Sequence, residues 1–486
     1  MKILVEGGVA QYDAEALAML FMPGRHFTSV TQASELTEEY LHLISRTENG
    51  CLHTRACLCS ADTTAVGEST LPCTDPPSKA DLRLGAAYAI LEAGERLTGV
   101  TPPFGVLTGI RPAKIVMEML RQGSSPAQIE SHFRDTLRVT EEKTSLCMEV
   151  AAREQALISR MPPRSVSLYI SIPFCPSRCT YCSFVSHSIE SAGKLIDPYL
   201  EKLCAEIRDK VALLKDMGRP INCIYIGGGT PGILTPEQLT LLMGTVSDVV
   251  NLSQVAEYTV EAGRPDTVTK DKLRVMKMMG AQRISINPQT LCNDTLQLIG
   301  RRHTAEQFYQ AMDVAASAGF DCINCDLVAG LAQESPEEFG RTLEGVLSTS
   351  PQNVTVHTLC VKKSAFLRQS GEAVFDPLGT RVGAMLTLAD SLLRPKGFFP
   401  YYLYRQKNAL GNFENTGWSL DGKEGLYNVY IMEEVQSILA CGAGGTTKLV
   451  DTEKNLIRRI FNFKYPYEYL SRPIPAFSEE EKSFLL

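Results

Sequence analysis

No apolar run in this chain reaches the roughly 18 residues that a membrane-crossing helix needs, so no membrane span is expected. The first residues, Met1-Lys2-Ile3-Leu4-Val5-Glu6-Gly7-Gly8, lack the long apolar core and small-residue cleavage site of a secretory signal. Neither sign of charge dominates. Lys and Arg number 48 against 55 Asp and Glu, a net charge of −7, and that balance favours neither nucleic acid nor an anionic membrane as a general partner. Cysteine, 15 in 486 residues, is too sparse for a small secreted disulfide scaffold. It fits a reducing compartment and a metal cluster, and the expected location is the cytoplasm. The remaining composition, 44% hydrophobic and 21% charged, is that of a globular protein of two or three domains.

Three of the cysteines lie together in Cys175-Pro176-Ser177-Arg178-Cys179-Thr180-Tyr181-Cys182. The run before them, Leu168-Tyr169-Ile170-Ser171-Ile172-Pro173-Phe174, is short and alternates at Tyr169 and Ser171. It reads as a strand that ends in the cysteine loop. Pro173 and Pro176 exclude regular ladder pairing there and fix φ. Three thiolates on one loop can hold three irons of a cubic [4Fe–4S] cluster and leave the fourth iron open to a non-protein ligand. Structural zinc is the rival, with His187 as a fourth ligand. The bland alternative is a set of small buried thiols.

From Val166 the pattern alternates. Strands are expected at Ser167–Ile172, Cys223–Ile226, Tyr258–Glu261, Arg283–Ile286, Cys322–Leu327 and Val354–His357. Helices are expected near Lys194–Met217, Pro236–Val250, Thr267–Met279, Ala305–Ala318 and Pro336–Leu347. Such alternation implies a parallel sheet with outer helices. Polar motifs fall just after the strands: Gly227-Gly228-Gly229-Thr230-Pro231, then Glu261-Ala262-Gly263-Arg264-Pro265, Asn287-Pro288-Gln289, Gly300-Arg301-Arg302-His303, and Asn324-Cys325-Asp326-Leu327. The glycine triplet reads equally as a tight turn or as a loop that lets backbone approach a ligand. Cys322 and Cys325 fall on opposite faces of one strand and read as core thiols.

In their order and spacing behind the cysteine loop, these motifs resemble the radical S-adenosylmethionine (SAM) enzymes. Within them the chain is most similar to the oxygen-independent coproporphyrinogen III dehydrogenase group. Its HemZ branch is suggested by Tyr402-Leu403-Tyr404-Arg405-Gln406-Lys407-Asn408, by Gly411-Asn412-Phe413-Glu414-Asn415, and by the extra N-terminal region. The resemblance runs from about Tyr169 to about Gly445. It implies an α/β fold: a partial (β/α)6 barrel with an N-terminal α/β domain and a C-terminal, mostly helical extension. The implied cofactors are a [4Fe–4S] cluster on Cys175, Cys179 and Cys182, and SAM on Tyr169, Tyr181, Gly228, Gly229, Thr230, Glu261, Gln289, Arg301 and Asp326. The implied reaction is oxidative decarboxylation of coproporphyrinogen III propionates to vinyl groups, fed by a flavodoxin- or ferredoxin-type electron donor. The dehydrogenases carry a fourth cysteine two residues past the third; here Ser183-Phe184 follows Cys182. Related haem-binding chaperones share that pattern, so the alternative is a haem carrier that keeps the cofactor site.

The expected domains are 1–162, an accessory domain; 163–375, the partial barrel; and 376–486, a substrate-covering region. In the first, Lys2 to Val5 reads as a strand, and Ala14 to Phe21, Asp81 to Leu97 and Glu141 to Ile158 as helices. Cys57-Leu58-Cys59 and Cys73 read as loop or core thiols, or as a weak second metal site. Arg111 and Lys114 read as a solvated helix start or a contact to carboxylates. In the last, Arg381 to Leu393 and Glu433 to Leu439 read as helices and 456–486 as a helical cap. The aromatic and cationic run 397–408 reads as a closing strand or a platform for a flat macrocycle. Replacing any one of Cys175, Cys179 or Cys182 with alanine is expected to abolish the visible charge-transfer absorption of an anaerobically reconstituted cluster.

Overall fold

The computed structural model describes residues 1–61, 63–182, 186–360, 376 and 378–485. Packing divides the chain into two units. One is Met1–Met148 with Asp376–Gly383 and Arg405–Glu414; the other is Glu149–Phe375, Ala384–Tyr404 and Asn415–Leu486. The boundary expected near 375 falls outside the described residues.

The first unit holds a five-stranded sheet in the order Thr28–Ser29, Lys2–Glu6, Tyr40–Glu48, Cys51–Ser60, Thr63–Pro72. Lys2–Glu6 runs parallel to both neighbours, and the long strands form an antiparallel meander. Leu41, Leu43, Ala56 and Leu58 pack with Ala86, Ala89, Ile90 and Ala93 of the helix Lys79–Thr98. Ser78 caps that helix by accepting from Asp81 N–H at 3.1 Å. Gly99, at φ +70°, ends it. Cys57 and Cys59 are therefore strand residues, Cys59 buried. Arg111 and Lys114 begin the helix Pro112–Arg121, both half-buried.

The second unit carries six parallel strands: β1 (Val166–Ile172), β2 (Ile221–Gly228), β3 (Glu257–Gly263), β4 (Arg283–Ile286), β5 (Cys322–Ala329) and β6 (Asn353–Thr358). Each pairs with the next. The intervening helices are Ile196–Asp216, Pro236–Val249, Lys270–Met278, Ala305–Ser317 and Pro336–Ser348. Three begin with the same device. Thr235, Thr304 and Ser335 each accept from the backbone N–H of Gln238, Gln307 and Glu338, whose side chains reach back. Cys322 lies against the Lys423 carbonyl and Cys325 against Met312, on opposite faces of β5 as expected.

Further strands lengthen this sheet: β7 (Phe399–Arg405), β8 (Glu414–Ser419), β9 (Ser437–Cys441), β10 (Thr446–Asp451) and β11 (Leu456–Phe461). The order is β7-β8-β6-β5-β4-β3-β2-β1-β9-β10-β11, an open sheet among the described residues. β9 runs parallel to β1, while β8 lies antiparallel to β6. The barrel is partial.

The C-terminal region departs from the mostly helical expectation. The helix expected over Arg381 to Leu393 is present as Thr380–Leu393, but the one expected over Glu433 to Leu439 lies earlier, at Leu426–Glu433, and Glu434 leaves it at φ +53°. Ser437 to Leu439, expected in a helix, lie in β9. That strand is buried along its whole length, as a strand covered on both faces of a sheet is. The start of the expected helical cap is β11, which pairs back on β10, and the short helices Pro466–Ser471 and Glu479–Ser483 follow. The aromatic run is β7.

The N-terminal end of the six strands is plugged by the segment around Lys423–Tyr427. Arg283 Nη1 and Asn353 Nδ2 donate to the Lys423 carbonyl at 2.7 and 3.0 Å. Glu257 accepts from Leu426 N–H at 2.5 Å and faces Arg283 at 3.7 Å. Both side chains are buried, so removing one strands the other. Glu257→Ala is expected to cost on the order of 3 kcal/mol, read as a lower thermal unfolding midpoint, with Glu257→Gln in between.

Candidate cofactor site

The cysteine loop is gripped from two sides. On one, the glycine loop after β2 lies flat against it: Gly229 N–H donates to Ile172 O and Thr230 N–H to Phe174 O, both at 2.8 Å. A Cβ on Gly229 would sit 2.5 Å from Phe174 O, so only glycine allows the approach. Thr230 Oγ1 donates to Cys175 Sγ at 3.4 Å. On the other side, Ser177 Oγ donates to Gly300 O and Thr180 N–H to Ile299 O, both at 3.1 Å. Arg264 lies beneath the loop. It donates to Ser177 Oγ at 2.6 Å, to the Ser177 carbonyl, and to Cys179 Sγ at 3.3 Å. Cys175 and Cys179 are buried and Cys182 is half-buried.

The strand-end motifs converge beside this loop. Tyr181 O–H donates to Gln289 Oε1 at 3.2 Å. Gln289, at φ +69°, returns its backbone N–H to Asp326 O at 3.0 Å. Arg301 Nη1 donates to Asn287 O at 2.6 Å, and its guanidinium lies against Tyr181 and Cys179. Tyr169 stacks on Tyr225, with ring centroids 6.2 Å apart, and burial with the nearby Glu261 pushes its phenol pKa up. Gly228, at φ +109°, lies beside Glu261. Every residue expected at the cofactor site is thus in this neighbourhood.

Two carboxyls on this concave face differ in protonation. Glu261 accepts from Tyr225 O–H at 2.7 Å. Burial, reinforced by Asp326, pushes its pKa up to about 7. Asp326 is as deeply placed, yet hydrogen bonds outweigh its burial. Asn324 Nδ2 donates to it at 2.7 Å, His357 Nε2 stands 3.9 Å away, and the net shift is downward. One face therefore offers a carboxyl poised near neutrality beside a fixed anion.

Several participants escaped the sequence reading. Tyr225 could have been found from the two-residue period of β2, which puts it on the face of Gly227. His357 was visible at the end of the sixth expected strand but stood outside the expected cofactor set, and Tyr404 reaches its Nδ1 at 3.4 Å. Arg264 gave no signal, because a lone arginine before proline is normally solvated.

The donor set fits an iron–sulfur cluster. Soft thiolates are met by a hydroxyl and a guanidinium, and neighbouring backbone is close enough to exclude water. Among the described residues no three His, Cys, Asp or Glu side chains converge tightly enough for a single ion; a cubane takes its thiolates at separate corners. Residues 169–346 match the Radical SAM superfamily. The chain is 36% identical over 402 residues to the oxygen-independent coproporphyrinogen-III oxidase-like protein HemZ of Bacillus subtilis, covering 82% of this chain and 80% of that one. The chain is a radical SAM protein. It belongs with the oxygen-independent coproporphyrinogen III oxidase-like proteins, and its cofactors are those of the superfamily, a [4Fe–4S] cluster and SAM. It is also 31% identical over 329 residues to the heme chaperone HemW of B. subtilis, covering 66% of this chain and 82% of that one. Coproporphyrinogen III oxidase HemN of Escherichia coli shares the fold, with a TM-score of 0.51 at 22% identity over 66% of this chain and 71% of that one. No described helix of this radical SAM protein is long and apolar enough to cross a membrane.

Glu261 makes stability depend on pH. The folded protein keeps this proton up to about 7, whereas a free glutamate releases it near 4.5. Between those values the folded state binds more protons, so stability falls as pH rises through the window. Glu261→Gln is expected to remove that slope from the unfolding midpoint, and to remove a carboxyl C=O infrared band that titrates near 7.

Proposed function

We propose that this protein oxidatively decarboxylates propionate side chains of coproporphyrinogen III without oxygen. Each propionate loses one hydrogen atom from its β-carbon, one electron to an external acceptor, and CO2, leaving a vinyl group. Two rounds yield protoporphyrinogen IX. The observation that carries this reading is the extent of the HemZ likeness. It spans 402 residues, well beyond the 169–346 segment common to the superfamily, and so includes parts free to recognise a substrate. The cluster and SAM supply hydrogen-atom abstraction when one electron is delivered to them. The protein's own work is to hold them. Cys175, Cys179 and Cys182 are the iron ligands. Gly228, Gly229 and Thr230 offer close backbone, Glu261, Gln289 and Arg301 meet the polar ends of SAM, and Asp326 accepts from its ribose. Tyr169 and Tyr181 pack against it.

The donor is a small acidic carrier of the flavodoxin or ferredoxin type. A groove of about 670 Å³ beside the cysteine loop is lined by three arginines, Arg178, Arg301 and Arg302, and by one carboxylate, Glu190, among others. Its cationic lining departs from the chain's net −7.

A haem-carrier reading is favoured by two observations, the HemW likeness and the absence of a cysteine two residues past Cys182. Residues 183 and 184 lie outside those described. The decisive experiment incubates reduced, reconstituted protein anaerobically with SAM and coproporphyrinogen III. Vinyl products with 5′-deoxyadenosine are expected. Tight haem uptake with no vinyl product would replace this reading with the carrier.

A further inference from the structure

We infer that Arg264 sets the reduction potential of the cluster and holds its loop in shape, acting as a positioning residue bonded to a ligand sulfur. The reading rests on the cysteine loop as the iron site and is independent of the substrate.

The geometry starts in β3. Its pairing with β4 slips between Glu261 and Gly263. Such a bulge bends a strand and re-aims the residues after it. Gly263 stands at φ +91°, and a Cβ there would lie 2.5 Å from Thr230 Cγ2, so the slip is possible only with glycine. Arg264 consequently turns away from solvent. It is 3% exposed and points under the cysteine loop. Its fork makes two kinds of contact. Two donors fasten Ser177, through the hydroxyl and the carbonyl, and so fix the loop between Cys175 and Cys179. One also reaches Cys179 Sγ at 3.3 Å. Among the described residues Cys175 meets a neutral hydroxyl, that of Thr230 at 3.4 Å, whereas Cys179 has Arg301 as a second cation beside it.

A cation bonded to one ligand sulfur favours the more negative, reduced cluster over the oxidised one. Hydrogen bonds to the sulfurs and net charge are the levers by which proteins move such potentials. In a buried site this charge is weakly screened. Arg264 therefore raises the potential and eases the entry of the electron. The same bulge joins Glu261, on the SAM side, to Arg264, on the cluster side, within four consecutive residues.

The test reconstitutes the unaltered protein, Arg264→Met, Arg264→Gln and Arg264→Lys anaerobically. The cluster midpoint is measured without SAM by electron paramagnetic resonance, and cluster loss to a chelator is followed in parallel. Met and Gln are expected to give a more negative midpoint, with Lys closer to the unaltered protein. All three are expected to lose the cluster faster, by about tenfold or more. A purely structural role would speed the loss and leave the midpoint unmoved, which overturns the inference. Should Arg264→Met fail to load, the Gln and Lys midpoints decide. An unaltered protein that takes up no iron overturns the cysteine-loop assignment and this inference with it.

Discussion

The hydrogen bonds that fix the cysteine loop come largely from segments far away in sequence. Within the loop, Cys182 N–H donates to Cys179 O at 3.2 Å. Nearby, Phe174 and Cys175 pair with His187 and Ser188; the distant anchors include Thr230 from the β2 loop, Arg264 from the β3 loop, and Ile299 and Gly300 beyond β4. Two prolines restrict the loop but give it no donors. Three thiolates can therefore keep their separations only when the strands that carry those anchors are in register. The sheet matters to the chemistry chiefly as the frame that brings them together.

That frame also explains why polar groups sit where a core would be expected. Glu261, Asn324, Asp326 and His357 occupy the concave side of the strands, half-buried. Each has a partner, and the partners differ in kind. Burial raises Glu261 against the pull of its phenol hydroxyl, whereas an amide and an imidazole outweigh burial at Asp326 and keep it ionised. Buried polar networks are tolerable when every member is satisfied, and this one is tied down by strands whose other face is packed with isoleucine, valine and leucine. Below it, Tyr427 stacks on Tyr225 at 4.6 Å and closes the floor.

Much of the barrel was legible because strands alternate with helices, three of them opened by a capping box. The six expected strands and five helices all lie where alternation put them, and Arg283–Ile286 matches at both ends. The polar motifs were legible for a related reason, since they follow strands whose ends face one way. The first unit was harder. Tyr40 to Pro72 is rich in Thr, Ser and Cys, and that composition hides three long strands whose inward positions carry Leu41, Leu43, Ala56 and Leu58. β7 was among the expected alternatives, but β9 was missed because Ile438 to Cys441 is a short continuous apolar run, which cannot be assigned by periodicity. Arg264 was invisible because its burial depends on a register slip that no local pattern announces.

β1 owes its second neighbour to β9, a strand that begins at Ser437. The link is tight: Ser171 Oγ donates to Ala443 O at 2.8 Å, and Tyr199 O–H to Ser171 O at 2.7 Å. As the chain emerges from the ribosome, the strand leading into the cysteines gains β2 early but keeps one bare edge until residue 441 and its neighbours are out. Such edges invite wrong pairing. The segment that protects the metal-bearing strand is thus supplied late, and the nascent chain passes through a stage in which all three thiols exist without the edge that seals them in.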